Sequence, residues 1–261
     1  MFKKKLYQTA IELTNKKWSS QLLKSVVHSK ISKQFISSYI NIYEIDTKEV
    51  SKNITSFPSL EQFFTRELKN DARPIDGRLD VMTSPADSKI ESFGAISQDT
   101  VISVKGQEYK LQDLLGKDDH AKKYQNGKYI VFYLSPADYH RVHSPVDAQI
   151  GRQYILGNNS YPVNQMGLKY GKKPISGNYR MISELQLSNG DQAAFIKVGA
   201  MFVNTIQLTN TSNEWSKGED IGHFSFGSTV VMLFEEHSIE FLQNVQQGYH
   251  IQVGEAFCNM L

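Results

Sequence analysis

The stretch SPADYHRVHSPVD (135–147) holds two of the chain's seven histidines, His140 and His143, three residues apart between Pro136 and Pro145. Histidine moves protons near neutral pH, and the flanking prolines imply a strand-to-loop segment with fixed bends rather than a long helix. Asp87, in SPADS (84–88), adds a carboxylate after a proline-set turn, and Ser228 and Thr229 add two hydroxyls directly after Gly227. A serine, a histidine and an aspartate at strand edges are what activation of a hydroxyl nucleophile requires. The histidine takes the proton; the aspartate fixes its tautomer and stabilises the imidazolium. Each residue also has a plainer reading. The histidines can bond the backbone of a tight turn, Asp87 can cap a loop, and Gly227 can mark a bend where a strand begins. Zinc at His140 and His143 would need a third ligand, and no further His or Cys stands at short spacing. The Gly227–Ser228 bond can be a bend or itself a reactant, and the tripeptide alone does not decide.

These residues must be positioned by a β-rich frame. The runs 100–106, 128–134, 193–208 and 228–234 are rich in β-branched and aromatic residues and end in Gly, Pro, Asn or Asp, as strands do. A short helix is predicted around Leu60 to Leu68, stopping before Pro74, and another over 110–124 as far as Gly116. The expected class is α+β, with a predominantly antiparallel β core and amphipathic helices at the N-terminus. SPAD occurs at 84–87 and 135–138, and a Gly-Glu pair recurs in 216–222 and 251–257. Such repeats fit an internally duplicated sheet.

The 261 residues, 40% hydrophobic and 21% charged, fit a folded globular chain. The single cysteine, Cys258, excludes an internal disulfide and any cysteine-cluster metal site, and fits a reducing compartment. The net charge of +2 hides an asymmetry: residues 1–40 hold eight lysines and one acid, for +7, and the remainder carries −5. Apolar residues at gaps of three, four and seven lie between those lysines, the spacing of amphipathic helices. Glu12, Lys16 and Lys17 interrupt any signal-peptide core, and no apolar run is long enough to span a bilayer. A basic amphipathic segment can rest on an anionic membrane or simply cap the core with its lysines in water. Nucleic acid is a weaker partner, since the patch holds no arginine. The expected division is residues 1–50 as basic membrane-associating helices and 51–261 as the catalytic unit.

FFTRELKNDARPID, SPADS, YLSPADYHRVHSPV, YPVNQ and KGEDIGHFSFGSTV stand in the order and approximate spacing found in the phosphatidylserine decarboxylases, which the chain resembles from about residue 55 to 255. The resemblance implies a proenzyme that cuts itself between Gly227 and Ser228. Ser228 attacks the Gly227 carbonyl, an ester forms by N-to-O acyl shift, and β-elimination followed by hydrolysis leaves an amino-terminal pyruvoyl group and ammonia. By the same transfer His143 activates Ser228, Asp87 orients His143, and His140 positions or protonates the substrate. The pyruvoyl cofactor would form a Schiff base with the serine headgroup, release CO2 and yield phosphatidylethanolamine. The family also implies that the two cleaved chains stay together and suggests a homodimer; the His and Cys spacing leaves no metal expected, and the missing export signal with Cys258 puts the expected peripheral attachment at the cytoplasmic face of the cell membrane.

Three positions depart from the usual family pattern. Ser88 follows Asp87 in place of Gly, Tyr179 stands in Asn-Tyr-Arg, and Asn204-Thr205 replaces Gly-Ser. They bear on loop geometry and headgroup contacts. The competing function is a membrane-associated Ser-His-Asp hydrolase that leaves its own chain intact, but SFGSTVV runs into a strand, without the Gly-x-Ser-x-Gly elbow such enzymes use. A catalytically dead lipid-binding relative is disfavoured by the presence of Asp87, His143, Gly227 and Ser228 together.

Overall fold

The computed structural model describes residues 29–104, 106–163, 168, 172–200, 206–224 and 228–261. Most of the expected basic segment (1–28) and Gly227 lie outside them. A 3-10 turn at Lys30–Phe35 leads into helix α1 (Ile36–Tyr43), and helix α2 spans Leu60–Phe64. Then come β1 (Val81–Thr83), β2 (Ser88–Ala95), the hairpin β3 (Val101–Val104) and β4 (Gln107–Lys110), and the short helices α3 (Leu111–Leu115) and α4 (Asp118–Lys122). β5 (Lys128–Leu134), β6 (Arg141–His143), β7 (Ala148–Leu156) and the single turn α5 (Pro174–Gly177) follow. The remainder is β8 (Arg180–Gln186), β9 (Gln192–Gly199), β10 (Ile206–Leu208), β11 (Glu214–Trp215), β12 (Asp220–Phe224), β13 (Ser228–Phe234), β14 (Ile239–Phe241), β15 (His250–Ile251) and β16 (Ala256–Met260).

α2 is shorter than expected. Leu68 is drawn into a bridge with Val50, so the backbone must extend soon after Phe64. Gly116, at φ +78°, closes α3 where the sequence placed a stop, but α4 follows as a second helix. The run 193–208 is two strands, β9 and β10, with residues 201–205 between them outside the described set.

One eight-stranded sheet runs β11-β7-β8-β9-β13-β5-β2-β15, and two three-stranded sheets run β1-β16-β14 and β6-β12-β10. All these pairings are antiparallel. Matching β11 with β15, β7 with β2, β8 with β5 and β9 with β13 makes this order symmetric about a pseudo-twofold axis between β9 and β13, at the paired residues Phe195 and Met232. The expected duplication is present, but its partners differ from those the SPAD repeat suggested. Ser84–Asp87 matches Ser144–Asp147, whereas 135–138 forms the loop after β5. The match is atomic: Thr83 N–H donates to Pro145 O (2.9 Å) and His143 N–H to Pro85 O (2.8 Å). Likewise Gly254 N–H donates to Ser84 O and Gly218 N–H to Ser144 O. The Gly-Glu repeat is therefore real, and β2 and β7 even share a bulge at the same place.

Alternation of side chains gives the large sheet two dry faces. One face packs Phe132, Phe195, Val230 and Met232 against Val142, Phe224, Met82 and Phe257 of the small sheets. The other packs Val131, Ile196 and Val231 against Tyr109, Leu111 and Leu114. A smaller cluster joins Ile36, Ile45 and Val50 to Phe57 and Phe63, so residues 29–50 share a core with the start of the segment expected to be catalytic. Among the described residues no helix is long and apolar enough to cross a membrane.

Candidate active site

Ser228 opens β13, the strand beside the axis, and pairs with Leu134 of β5 and Gly199 of β9. It is wholly buried. It shares a sheet face with Val230 and Met232, so its side chain is directed at the layer that holds β6 and β12. Its Oγ has no hydrogen-bond partner among the described residues. A buried hydroxyl without a partner costs roughly 1–3 kcal/mol, so a purely structural serine is a poor explanation for this position.

β6 and β12 carry the histidines toward that layer. Phe224 N–H donates to His140 O (3.0 Å), at the end of the ladder from which the chain continues to Ser228. His143 pairs with Asp220 at the other end, about 10 Å further along β6. His140 is wholly buried, with its ring centroid 3.9 Å from that of Phe64. Its Nδ1 lies 2.8 Å from Asp138 O. A carbonyl only accepts, so Nδ1 carries the hydrogen and Nε2 presents a lone pair, with no partner among the described residues. Burial, aided by the field of Arg66, pushes this imidazole down to about 3.

His143 follows the same logic. Nδ1 donates to Gly218 O (2.8 Å), which leaves Nε2 to accept from the Tyr139 hydroxyl (3.2 Å). Burial lowers its pKa, while Asp220 and Asp87 pull the other way. Gly218 supplies that carbonyl from a left-handed turn at φ +80°, and a Cβ there would come within 2.6 Å of Ile75.

Asp87 ends the turn between β1 and β2 and is 6% exposed. Its oxygens accept from Arg73 Nε and Nη2 (2.6–2.9 Å), and Oδ1 also accepts from Val253 N–H (2.9 Å). Arg73 bonds Glu49 as well (3.0 Å). The carboxylate is thereby saturated, and the hydrogen bond expected between Asp87 and His143 is absent among the described residues. Gly218 holds the tautomer instead, and Asp87 reaches His143 through its field. Asp87, His143 and Ser228 thus belong to neighbouring layers, and among the described residues no hydrogen bond links any two of the three. A cavity of about 440 Å³ opens beside His143, lined by Lys69, Arg73, Tyr139, Gly218 and Asp220.

The internal axis sharpens the contrast between the halves. Asp147, the twin of Asp87, likewise accepts from a backbone N–H, that of Lys217 (2.7 Å). The twin of His143, however, is Thr83, so only one half carries the imidazole. Sequence reasoning missed Arg66, Arg73 and Tyr139. The first two lie in the FFTRELKNDARPID motif, but no spacing rule distinguishes them from surface arginines. Among the described residues no group of three or more His, Cys, Asp or Glu is arranged to hold a metal. Cys258 is buried in the core, where burial raises its thiol pKa well above the usual range.

The sequence profile of the phosphatidylserine decarboxylases matches residues 60–259. Phosphatidylserine decarboxylase proenzymes of Geobacillus sp. (strain WCH70) and Anoxybacillus flavithermus (strain DSM 21510 / WK1) are each 47% identical over 250 residues. Those alignments cover 96% of this chain and 96% and 94% of the relatives. That of Bacillus thuringiensis subsp. konkukian (strain 97-27) is 40% identical over 256 residues, covering 98% of this chain and 97% of the relative. With this likeness along nearly the whole length, beside the two tautomer-fixed histidines and a buried serine hydroxyl that has no partner among the described residues, the chain belongs to the phosphatidylserine decarboxylase family.

Proposed function

We propose that the chain converts phosphatidylserine to phosphatidylethanolamine and CO2, using a pyruvoyl group made from its own Ser228 by cutting the Gly227–Ser228 bond. The observation that carries this is the Ser228 hydroxyl, buried at the head of a central strand and without a hydrogen-bond partner among the described residues. The relatives' description as proenzymes supports it. His143 serves as the base for that hydroxyl: its Nε2 lone pair is fixed by the Gly218 carbonyl, and the Asp87 charge stabilises the imidazolium that forms. The Tyr139 hydroxyl must release Nε2 for this to happen. Once made, the pyruvoyl carbonyl supplies the sink for the electron pair that CO2 leaves behind. His140, whose Nε2 has no partner among the described residues, lies at the Ser228 end of the β6–β12 ladder and is the group to move a proton to and from the substrate.

Attachment to an anionic membrane fits the N-terminal elements. Ile31, Phe35 and Ile42 are 69%, 49% and 72% exposed, beside the exposed Lys30 and Lys33. A homodimer and the cytoplasmic face belong to the same reading.

The test is direct. Purified protein should run on a denaturing gel as a chain of residues 1–227 and one of 34 residues. The smaller should resist Edman sequencing and react with carbonyl reagents. Ser228→Ala should abolish both cutting and CO2 release, and His143→Ala should slow cutting severely. An active, intact chain with an ordinary seryl residue at 228 would refute the proposal.

A further inference from the structure

Arg66 is 4% exposed, yet among the described residues it has no ion pair. Its Nη2 donates to the carbonyls of Ala137 (3.2 Å) and Asp138 (3.4 Å), while Nε and Nη1 have no partner among the described residues. Phe63 covers one side, its ring centroid 5.3 Å from the guanidinium carbon. Asp87 and Asp138 act on Arg66 only through their fields. A buried cation without a counter-ion costs several kcal/mol, and an unsatisfied buried group calls for an explanation, an anion that binds beside it being one. The loop that Arg66 grips, 135–140, leaves β5 directly after Leu134, the pairing partner of Ser228, and ends at His140.

Phosphatidylserine brings two anionic groups, a carboxylate and a phosphodiester. The carboxylate departs as CO2, and an arginine bound to it would stabilise the ground state and raise the barrier. The phosphodiester keeps its charge from substrate to product, so binding it adds affinity without opposing the reaction. We propose that Arg66 is the receptor for the phosphodiester of the substrate headgroup. This rests on the phosphatidylserine reading above.

The experiment compares two competitors of phosphatidylserine in mixed micelles. Phosphatidylmethanol keeps the phosphodiester and lacks amine and carboxylate; N-palmitoyl-serine keeps the carboxylate and lacks phosphate. In Arg66→Gln the inhibition constant of phosphatidylmethanol should rise roughly 10- to 100-fold, the worth of charge-assisted hydrogen bonds. That of N-palmitoyl-serine should stay within about twofold, a margin below 0.5 kcal/mol. KM for phosphatidylserine should follow the first probe, and self-cutting should continue. Equal losses for both probes, a loss confined to N-palmitoyl-serine, or no change in either overturns the assignment. If Arg66→Gln does not accumulate as folded protein, Arg66→Lys, which keeps the charge and removes the fork, carries the same comparison. Direct binding of phosphatidylmethanol micelles to uncut Ser228→Ala protein separates this proposal from the pyruvoyl reading, because it needs no processing.

Discussion

At the scale of single residues, the unexpected feature is what holds His143. A triad read from sequence assigns the tautomer to Asp87, whereas the Gly218 carbonyl does that work and Arg73 occupies the aspartate. The two arrangements predict different outcomes for Asp87→Asn. Were Asp87 the tautomer-setting partner, its loss would cost about 10⁴-fold, as in serine proteases. With Asp87 acting only as a nearby charge, cutting should slow by roughly 10- to 1,000-fold and still reach completion. His143→Ala, by contrast, should all but stop it. The rate at which newly made chain converts to the two fragments on a gel measures both. Asp87→Asn chain as inert as His143→Ala would return the tautomer role to the aspartate.

At the scale of elements, legibility follows from how local the determining physics is. β5 and β13 are legible to the residue because each is a seven-residue run rich in β-branched and aromatic side chains and largely buried, as a central strand is. α2 is overlong in sequence because its end is set by Val50, eighteen residues before Leu68, which no local pattern reveals. Asp87, His140, His143 and Ser228 are singled out by type and motif; the partners Gly218 of His143 and Arg73 of Asp87 lie 75 and 14 residues away, and the Asp138 carbonyl that holds His140, two residues off, is a backbone contact that no motif specifies. α1 shows the same mixture. Ile36 is buried and the Tyr39 hydroxyl donates to Pro136 O (2.5 Å), so the inner face of the helix is part of the fold. Deleting residues 1–40 would therefore confound membrane attachment with loss of core. Serine at Ile31, Phe35 and Ile42 changes only the exposed face. Each apolar side chain contributes about 2 kcal/mol when buried, so the triple variant should lose most sedimentation with anionic liposomes while its melting temperature and self-cutting stay unchanged. Undiminished sedimentation would remove this face from the membrane contact.

At the scale of the whole molecule, the pseudo-twofold axis makes each half a control for the other. Across it, Lys197 of β9 corresponds to Phe234 of β13. Phe234 is an ordinary core residue, whereas the wholly buried Lys197 donates from Nζ to Ser183 Oγ (2.8 Å) beneath the rings of Phe195 and Trp215. Burial, with no carboxylate partner among the described residues, pushes the amine down to about 7. Unfolded, the same lysine holds its proton up to about 10.4. Between these values the unfolded chain binds one proton more than the folded chain, so stability must rise with pH across that window, by about 1.4 kcal/mol per unit from this group. Below about 7 both states are protonated and the contribution levels off at its least favourable value. Lys197→Met, which puts an apolar side chain where the other half already carries one, should remove this rise and leave the protein more stable at pH 7. Urea unfolding of the Ser228→Ala chain, a single polypeptide in both states, measures the difference at pH 7, 8 and 9. Parallel pH dependences with and without Lys197→Met would mean that the amine stays protonated in the fold, and that the cation is held by the aromatic rings and Ser183 alone.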